Sequence, residues 1–252
     1  MQVHKIVAFS WLLTTSLFAQ RIEPDRVKTV SGDLTIQPIL HSTVVFTWNN
    51  KVVYHDPYGG SNAFAGLPAP DLILITDIHS DHYNLETLNT LDLTRATLIV
   101  PPAVAEKLPE PLLAKAVVIT NGQHTTHAGI SVKAIPMYNL PETPDSRHPK
   151  GRGNGYVIRF ADKQVYLSGD TEDIPEMRAL MNIDIAFVCM NQPFTMDIKQ
   201  AASAVLEFKP GIVYPFHYRG QSGLTDVEGF KKLVMDANPA IEVRLRNWYP
   251  IN

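Results

Sequence analysis

The sequence predicts an α/β domain in which two β-sheets pack face to face beneath helices. Three observations predict it. Short apolar runs rich in β-branched residues recur along nearly the whole chain, segments of helical periodicity fall between them, and 252 residues suit one domain with a full core. With 45% hydrophobic and 19% charged residues, the composition is that of a globular chain. A net charge of -3 offers no basic footprint, so nucleic acid is not an expected partner.

Residues 1–20, MQVHKIVAFSWLLTTSLFAQ, stand apart. Lys5 precedes an apolar run from Ile6 to Phe18, and Leu17, Phe18 and Ala19 offer a small-residue cleavage site. The run is shorter than the roughly 20 apolar residues of a membrane span. A secretory signal peptide cut near Ala19 or Gln20 is therefore expected, leaving a periplasmic or secreted domain over 21–252 with no stable membrane span. The lone Cys189 provides no internal disulfide, so core packing or metal must hold the fold.

The elements follow in order. Leu34–Leu40, Thr43–Trp48 and Lys51–His55 read as strands, the last two joined by a turn at Asn49 and Asn50. Asp71–Thr76, with LILI at its centre, is a buried strand. Asn84–Leu91 reads as a short helix, Ala96–Val100 as a strand, Ala103–Leu108 as a helical turn and Ala116–Thr120 as a strand. Beyond these, Gly129–Pro136 is a strand, Gly155–Phe160 and Gln164–Ser168 a pair, and Ile183–Met190 a buried strand. Gln200–Glu207 has helical spacing and Gly211–Tyr214 is an inner strand. The segment from Met137 to Gly155 is rich in Pro, Gly and charge and is expected to be a long functional loop.

The stretch TDIHSDH, Thr76 to His82, directly follows the buried LILI strand. Asp77, His79, Asp81 and His82 are imidazole and carboxylate donors of the kind that divalent metals take. An extended backbone would put Asp77, His79 and Asp81 on one side while His82 turns to follow the next element, so one loop could feed two metals. Remote donors emerge at other strand ends: Asp170 in SGDT and His217 in VYPFH. Each alone reads as well as a Gly-Asp turn or a structural histidine; together they support a common site.

TDIHSDH, SGDT and VYPFH, in that order, resemble the metallo-β-lactamase superfamily of metal-dependent hydrolases, and more closely its ascorbate-6-phosphate lactonase-like branch. His41 in LHSTVVFTW, YHDP (54–57), AIPMYN (134–139), RHPKGRGNGY (147–156), SGDTEDIPEM (168–177) and FTMDIKQAA (194–202) extend the likeness over nearly all of the chain after residue 20. The resemblance implies a four-layer αββα sandwich in a single domain. It implies that Asp77 and His79 bind a first metal, that Asp81, His82 and His217 bind a second, and that Asp170 bridges both. Two departures stand out. Asp77 occupies a position where histidine is expected, and Asn139 one where some relatives have histidine; His148, in the long loop, is the candidate to replace the latter.

The expected cofactor is a divalent metal, two ions, zinc first. Asp77 hardens the site and makes manganese or iron more competitive. Two metals roughly 3.5–4 Å apart can lower the pKa of a shared water and polarise the bond it attacks. The expected activity is hydrolysis of an ester, lactone, amide or phosphodiester bond by a metal-bound hydroxide, with Asp81 and Asp170 as catalytic carboxylates. His41 or Tyr218 could assist proton transfer, and His41 serves equally as a support for a ligand carboxylate. Arg147, Lys150 and Arg152 around His148 would favour an anionic small-molecule substrate. The alternative is a metal-binding module that keeps the fold without turnover, motivated by Asp77 and Asn139. Redox relatives of this fold add a flavin domain or a reactive cysteine; 252 residues leave no room for the first, and Cys189 lies in an apolar strand.

Overall fold

A computed structural model describes residues 21–143 and 145–249. The expected signal peptide lies outside the described residues. The chain begins with an antiparallel meander of β1 (Asp25–Thr29), β2 (Gly32–Leu40), β3 (Thr43–Trp48) and β4 (Lys51–His55). Helix α1 (Gly60–Ala63) leads to β5 (Leu72–Leu74), α2 (Leu85–Thr90) to β6 (Thr97–Val100), and α3 (Pro102–Ala105) with α4 (Glu110–Leu113) to β7 (Ala116–Val118). Strands β5, β6 and β7 continue the sheet from β4 in parallel, completing seven strands in sequential order.

The second half repeats this plan. Strands β8 (His124–His127), β9 (Ile130–Met137), β10 (Gly153–Phe160) and β11 (Lys163–Leu167) form another antiparallel meander. After α5 (Pro175–Arg178), β12 (Ile185–Cys189) joins in parallel; α6 (Ile198–Phe208) then leads to β13 (Ile212–Phe216). A small hairpin of β14 (Arg219–Gly220) and β15 (Gly223–Leu224) precedes α7 (Val227–Ala237), and β16 (Glu242–Val243) closes the second seven-stranded sheet beside β13.

Strand periodicity explains the layering. Val44, Phe46, Val53, Leu72 and Leu74 point between the sheets and share one core cluster with Val132, Ile158, Val165 and Phe187 of the second sheet. Their neighbours Val45, Val52, Tyr54, Ile73 and Ile75 point outward and pack beneath Leu88 of α2, Val104 of α3 and Leu112 of α4. The second sheet is covered by Met177 of α5, Ala201 and Val205 of α6, and Phe230 and Val234 of α7. LILI is apolar throughout because it is buried on both faces. The result is the four-layer αββα sandwich that the resemblance implied.

Helix α6 begins earlier than its apolar spacing indicated because Asp197 and Gln200 form a capping box that starts it at Ile198. The long loop is shorter than expected, since β9 runs to Met137 and β10 begins at Gly153. The reading of the sequence had no counterpart for β1 or α7, although Val227, Phe230 and Val234 carry a helical stripe above an Asp226 N-cap. Among the described residues no helix is long and apolar enough to cross a membrane.

Candidate metal centre

The loops after β4, β5, β9, β11, β12 and β13 gather at the carboxyl ends of the parallel strands, the position where open α/β sheets bind ligands. Asp77, His79, Asp81 and His82 follow β5, Asp170 follows β11 and His217 follows β13. His148 arrives from the β9–β10 loop. All of the proposed donors are brought together, in groups comprising Asp77, His79 and His148; His82, Asp170 and His217; and Asp81 and His217 with His41.

Asp170 lies at the centre. Its Oδ2 is 3.3 Å from His82 Nε2 and 3.2 Å from His148 Nε2, and its Oδ1 is 3.4 Å from His217 Nε2. Asp81 Oδ2 is 3.3 Å from the same His217 nitrogen. Buried polar atoms normally have hydrogen-bond partners, yet His82 Nε2, His148 Nε2 and Asp170 Oδ1 converge here without one. Carboxylate oxygens and imidazole nitrogens that face each other unpaired suit a divalent cation.

The orientation of these imidazoles is set from behind. His82 Nδ1 lies 2.7 Å from Asp56 Oδ2, which also accepts from Thr76 Oγ1 at 2.6 Å, while Asp56 Oδ1 accepts from Thr76 N at 2.8 Å. A proton on Nδ1 leaves the Nε2 lone pair facing Asp170. His148 is held likewise: Asn139 Oδ1 is 3.1 Å from its Nδ1 and accepts from its backbone N–H at 2.9 Å. Asn139 Nδ2 donates away from the site, to Phe194 O at 2.9 Å. His148 therefore presents the ring nitrogen towards Asp170, and Asn139 orients it.

Burial alone would lower the pKa of His82, but Asp170, Asp56 and Asp81 together raise it well above its ordinary value. The same carboxylates would hold a metal cation in place of that proton. Burial would raise the pKa of Asp170, and His217 and His82 outweigh it, so the carboxylate stays ionised. His41 is lowered to about 4 by burial and by His217.

The backbone is shaped for this convergence. His41, Asp56 and His217 have φ values of 52°, 42° and 46°, in the left-handed region that non-glycine residues rarely adopt. Asn154 N–H donates to Thr76 O at 2.9 Å, and Tyr156 Oη to Ile75 O at 2.7 Å, pinning the TDIHSDH loop to β10. The glycines of RGNGY serve the same contact. A Cβ on Gly153 would stand 2.7 Å from Thr76 O, and one on Gly155 would stand 2.7 Å from Ser168 O.

The basic residues of the β9–β10 loop are engaged by protein groups. Arg152 grips Asp77 with a two-pronged contact, Nε to Oδ1 at 2.9 Å and Nη2 to Oδ2 at 2.7 Å, and its Nη2 is 3.5 Å from His79 Nε2. Burial would raise the pKa of Asp77, but the His79 and Arg152 contacts lower it to about 2. Lys150 pairs with Glu142 and Glu176, and the Arg147 guanidinium lies 4.3 Å above the Phe194 ring. Tyr218 donates to Arg246 O at 3.0 Å and accepts from Trp248 N, which ties its hydroxyl to the C-terminal segment. His41 stands beside His217, ring centroids 5.4 Å apart, with Tyr249 Oη 3.2 Å from its Nδ1. Burial pushes the Cys189 thiol up to about 11, which makes it a poor nucleophile.

Sequence reasoning assigned no role to Asp56 or Thr76, and placed Arg152 towards substrate when its partner is Asp77. The signal for Asp56 was available: in YHDP it directly follows strand β4, as Asp170 follows β11.

Residues 35–217 match the family model described as a Beta-lactamase superfamily domain. The chain is 32% identical over 196 residues to a UPF0173 metal-dependent hydrolase of Thermococcus onnurineus, covering 74% of this chain and 86% of that protein. A Pyrococcus abyssi protein of the same description is 29% identical over 171 residues, covering 66% and 75%. Among solved structures, a Parabacteroides distasonis protein described as a metal-dependent hydrolase superposes with a TM-score of 0.79 at 36% identity, over 90% of this chain and 99% of that one. A metallo hydrolase from Ignicoccus hospitalis gives 0.72 at 23% identity over 84% and 94%, a likeness of fold.

Proposed function

The chain belongs to the β-lactamase superfamily of metal-dependent hydrolases, and from that premise we propose that it cleaves an ester, lactone, amide or phosphodiester bond of a small molecule at the centre built around Asp170. The observation that carries this reading is the convergence of Asp81, His82, Asp170 and His217 from three loops, with donor atoms 3.3–3.4 Å apart. Those four residues would hold a divalent ion, zinc or a harder one such as manganese, which would activate water near neutral pH and polarise the scissile bond.

The chain's own residues do the rest. Asp170 is ionised and touches three imidazoles, so it fixes the spacing of His82, His148 and His217. Asp56 and Asn139 hold the tautomers of His82 and His148. Asp81 is more open than Asp170, its side chain 34% exposed against 4%, so it sits where substrate and water enter. His41, close to Asp81 and His217 and with its pKa lowered to about 4, is placed to accept a proton and relay it, not to hold one in reserve for the leaving group. Since Arg152 and Lys150 are paired with acids, an anionic substrate is supported by Arg147 alone of the three loop bases.

Chelator-treated protein is expected to lose hydrolysis of ester, lactone and phosphodiester panels and to regain it with added zinc or manganese, while Asp170→Asn stays inactive. A folded, metal-loaded protein inactive on every panel would instead favour a binding module, the reading that the Asp77–Arg152 pair motivates. The N-terminal run supports export as a secreted or periplasmic protein; N-terminal sequencing of the mature chain beginning near Gln20 or Arg21 would bear this out.

A further inference from the structure

The two donor clusters differ in a way that their residue types conceal. At the second, Asp81 and Asp170 bring two carboxylates to the imidazoles of His82 and His217. Two carboxylates match one dication. At the first, Asp77 brings one negative charge to His79 and His148, and Arg152 has already matched it.

The match is specific. Both Asp77 oxygens accept from the guanidinium in a fork, a contact that an imidazole at position 77 could not make. The same Nη2 is 3.5 Å from His79 Nε2, so the guanidinium lies against two of the cluster's three donors. The Asp77 side chain is fully buried and that of Arg152 only 19% exposed, so water screens the pair little. A dication entering beside Asp77 would meet a like charge in that poorly screened setting, and expelling Arg152 would strand a half-buried guanidinium. His148 has work without an ion of its own, since its Nε2 lies 3.2 Å from Asp170 Oδ2.

We propose that the Arg152 guanidinium is the built-in cation of the first cluster, so that the chain takes a single divalent ion, at Asp81, His82, Asp170 and His217, in place of a pair. Asp77 is then the anchor of Arg152 and no metal ligand. Arg152 is a positioning residue: it holds Asp77 and His79 still and leaves positive charge beside the reacting centre. The inference rests on the metal-dependent reading above.

The test is a metal count. Full-length protein stripped with chelator, reloaded with excess Zn2+ or Mn2+ and freed of loose ions by gel filtration is analysed by native mass spectrometry and elemental analysis. Wild type is expected to retain about one ion per chain, Arg152→Lys about one, and Arg152→Gln about two, because the last frees Asp77 for metal. Two ions in wild type would overturn the proposal and leave the hydrolase reading standing; so would a folded Arg152→Gln that stays at one. Zero ions in wild type would sink both. If Arg152→Gln fails to fold, the wild-type and Arg152→Lys counts decide, one in each supporting the proposal and two in wild type ending it.

Discussion

Replacing Asp56 by asparagine alters a residue that has no place among the donors, yet it should weaken the metal centre. Asp56 accepts three hydrogen bonds, from His82 Nδ1, Thr76 Oγ1 and Thr76 N, at 2.6–2.8 Å. Asparagine keeps the shape but supplies one oxygen where there were two. With its amide nitrogen towards His82, a donor faces a donor, and the ring can relieve this by moving its proton to Nε2, the atom aimed at Asp170. With the amide flipped, Thr76 N–H is left without an acceptor. Loss of one buried, charge-assisted hydrogen bond costs about 1.5–3 kcal/mol, and each 1.4 kcal/mol is tenfold. Metal affinity should fall roughly 10- to 100-fold, the range found when groups behind metal ligands are changed. The assay is a Zn2+ titration against a chromophoric chelator, paired with thermal unfolding of the metal-free protein, where the same loss should lower Tm by roughly 3–10 °C. A folded Asp56→Asn variant whose zinc Kd stays within about twofold of wild type would refute the argument that Asp56 sets the His82 tautomer.

Other perturbations test other contacts. Asn139→Ala removes the acceptor for both His148 Nδ1 and its backbone N–H; stability should drop by about 1–3 kcal/mol, and nitrogen NMR of the His148 ring should show a mixture of tautomers in place of one. Tyr156→Phe deletes the hydroxyl that donates to Ile75 O and should cost about 1–2 kcal/mol in thermal unfolding, with metal count unchanged because no donor is touched. Gly155→Ala drives a Cβ to within 2.7 Å of Ser168 O and 3.0 Å of Leu167 O, backbone atoms that cannot swing aside; destabilisation of about 1–3 kcal/mol is expected. The SGD loop should shift with it, so reduced zinc retention by elemental analysis should accompany the lower Tm.

Local chemistry made much of the protein legible. Alternating and continuous apolar runs determine β3, β4, β5, β12 and β13, because a strand's burial is written in its own residues. Asp77, His79, Asp81, His82, Asp170 and His217 stand out for the same reason: metal-ligating side chains rarely follow buried strands without a use. Short or weakly apolar elements are where this reasoning fails, as with β1, whose five residues alternate only partly buried and exposed positions against β2.

Pairing was decided elsewhere. Arg152 and Asp77 are 75 positions apart, Asp56 and His82 are 26 apart, and Tyr156 and Ile75 are 81 apart. No local pattern selects among such partners. The amino-acid sequence by itself determined which strand ends carry donors and that position 77, where the resemblance implies histidine, is an aspartate. Only the sandwich decided that this aspartate meets an arginine, that Asn139 holds His148 from behind, and that Asp56 directs His82. A hydrogen bond or an ion pair depends on direction and on distances of about 3 Å, and these are set by how two seven-stranded sheets pack across the whole chain.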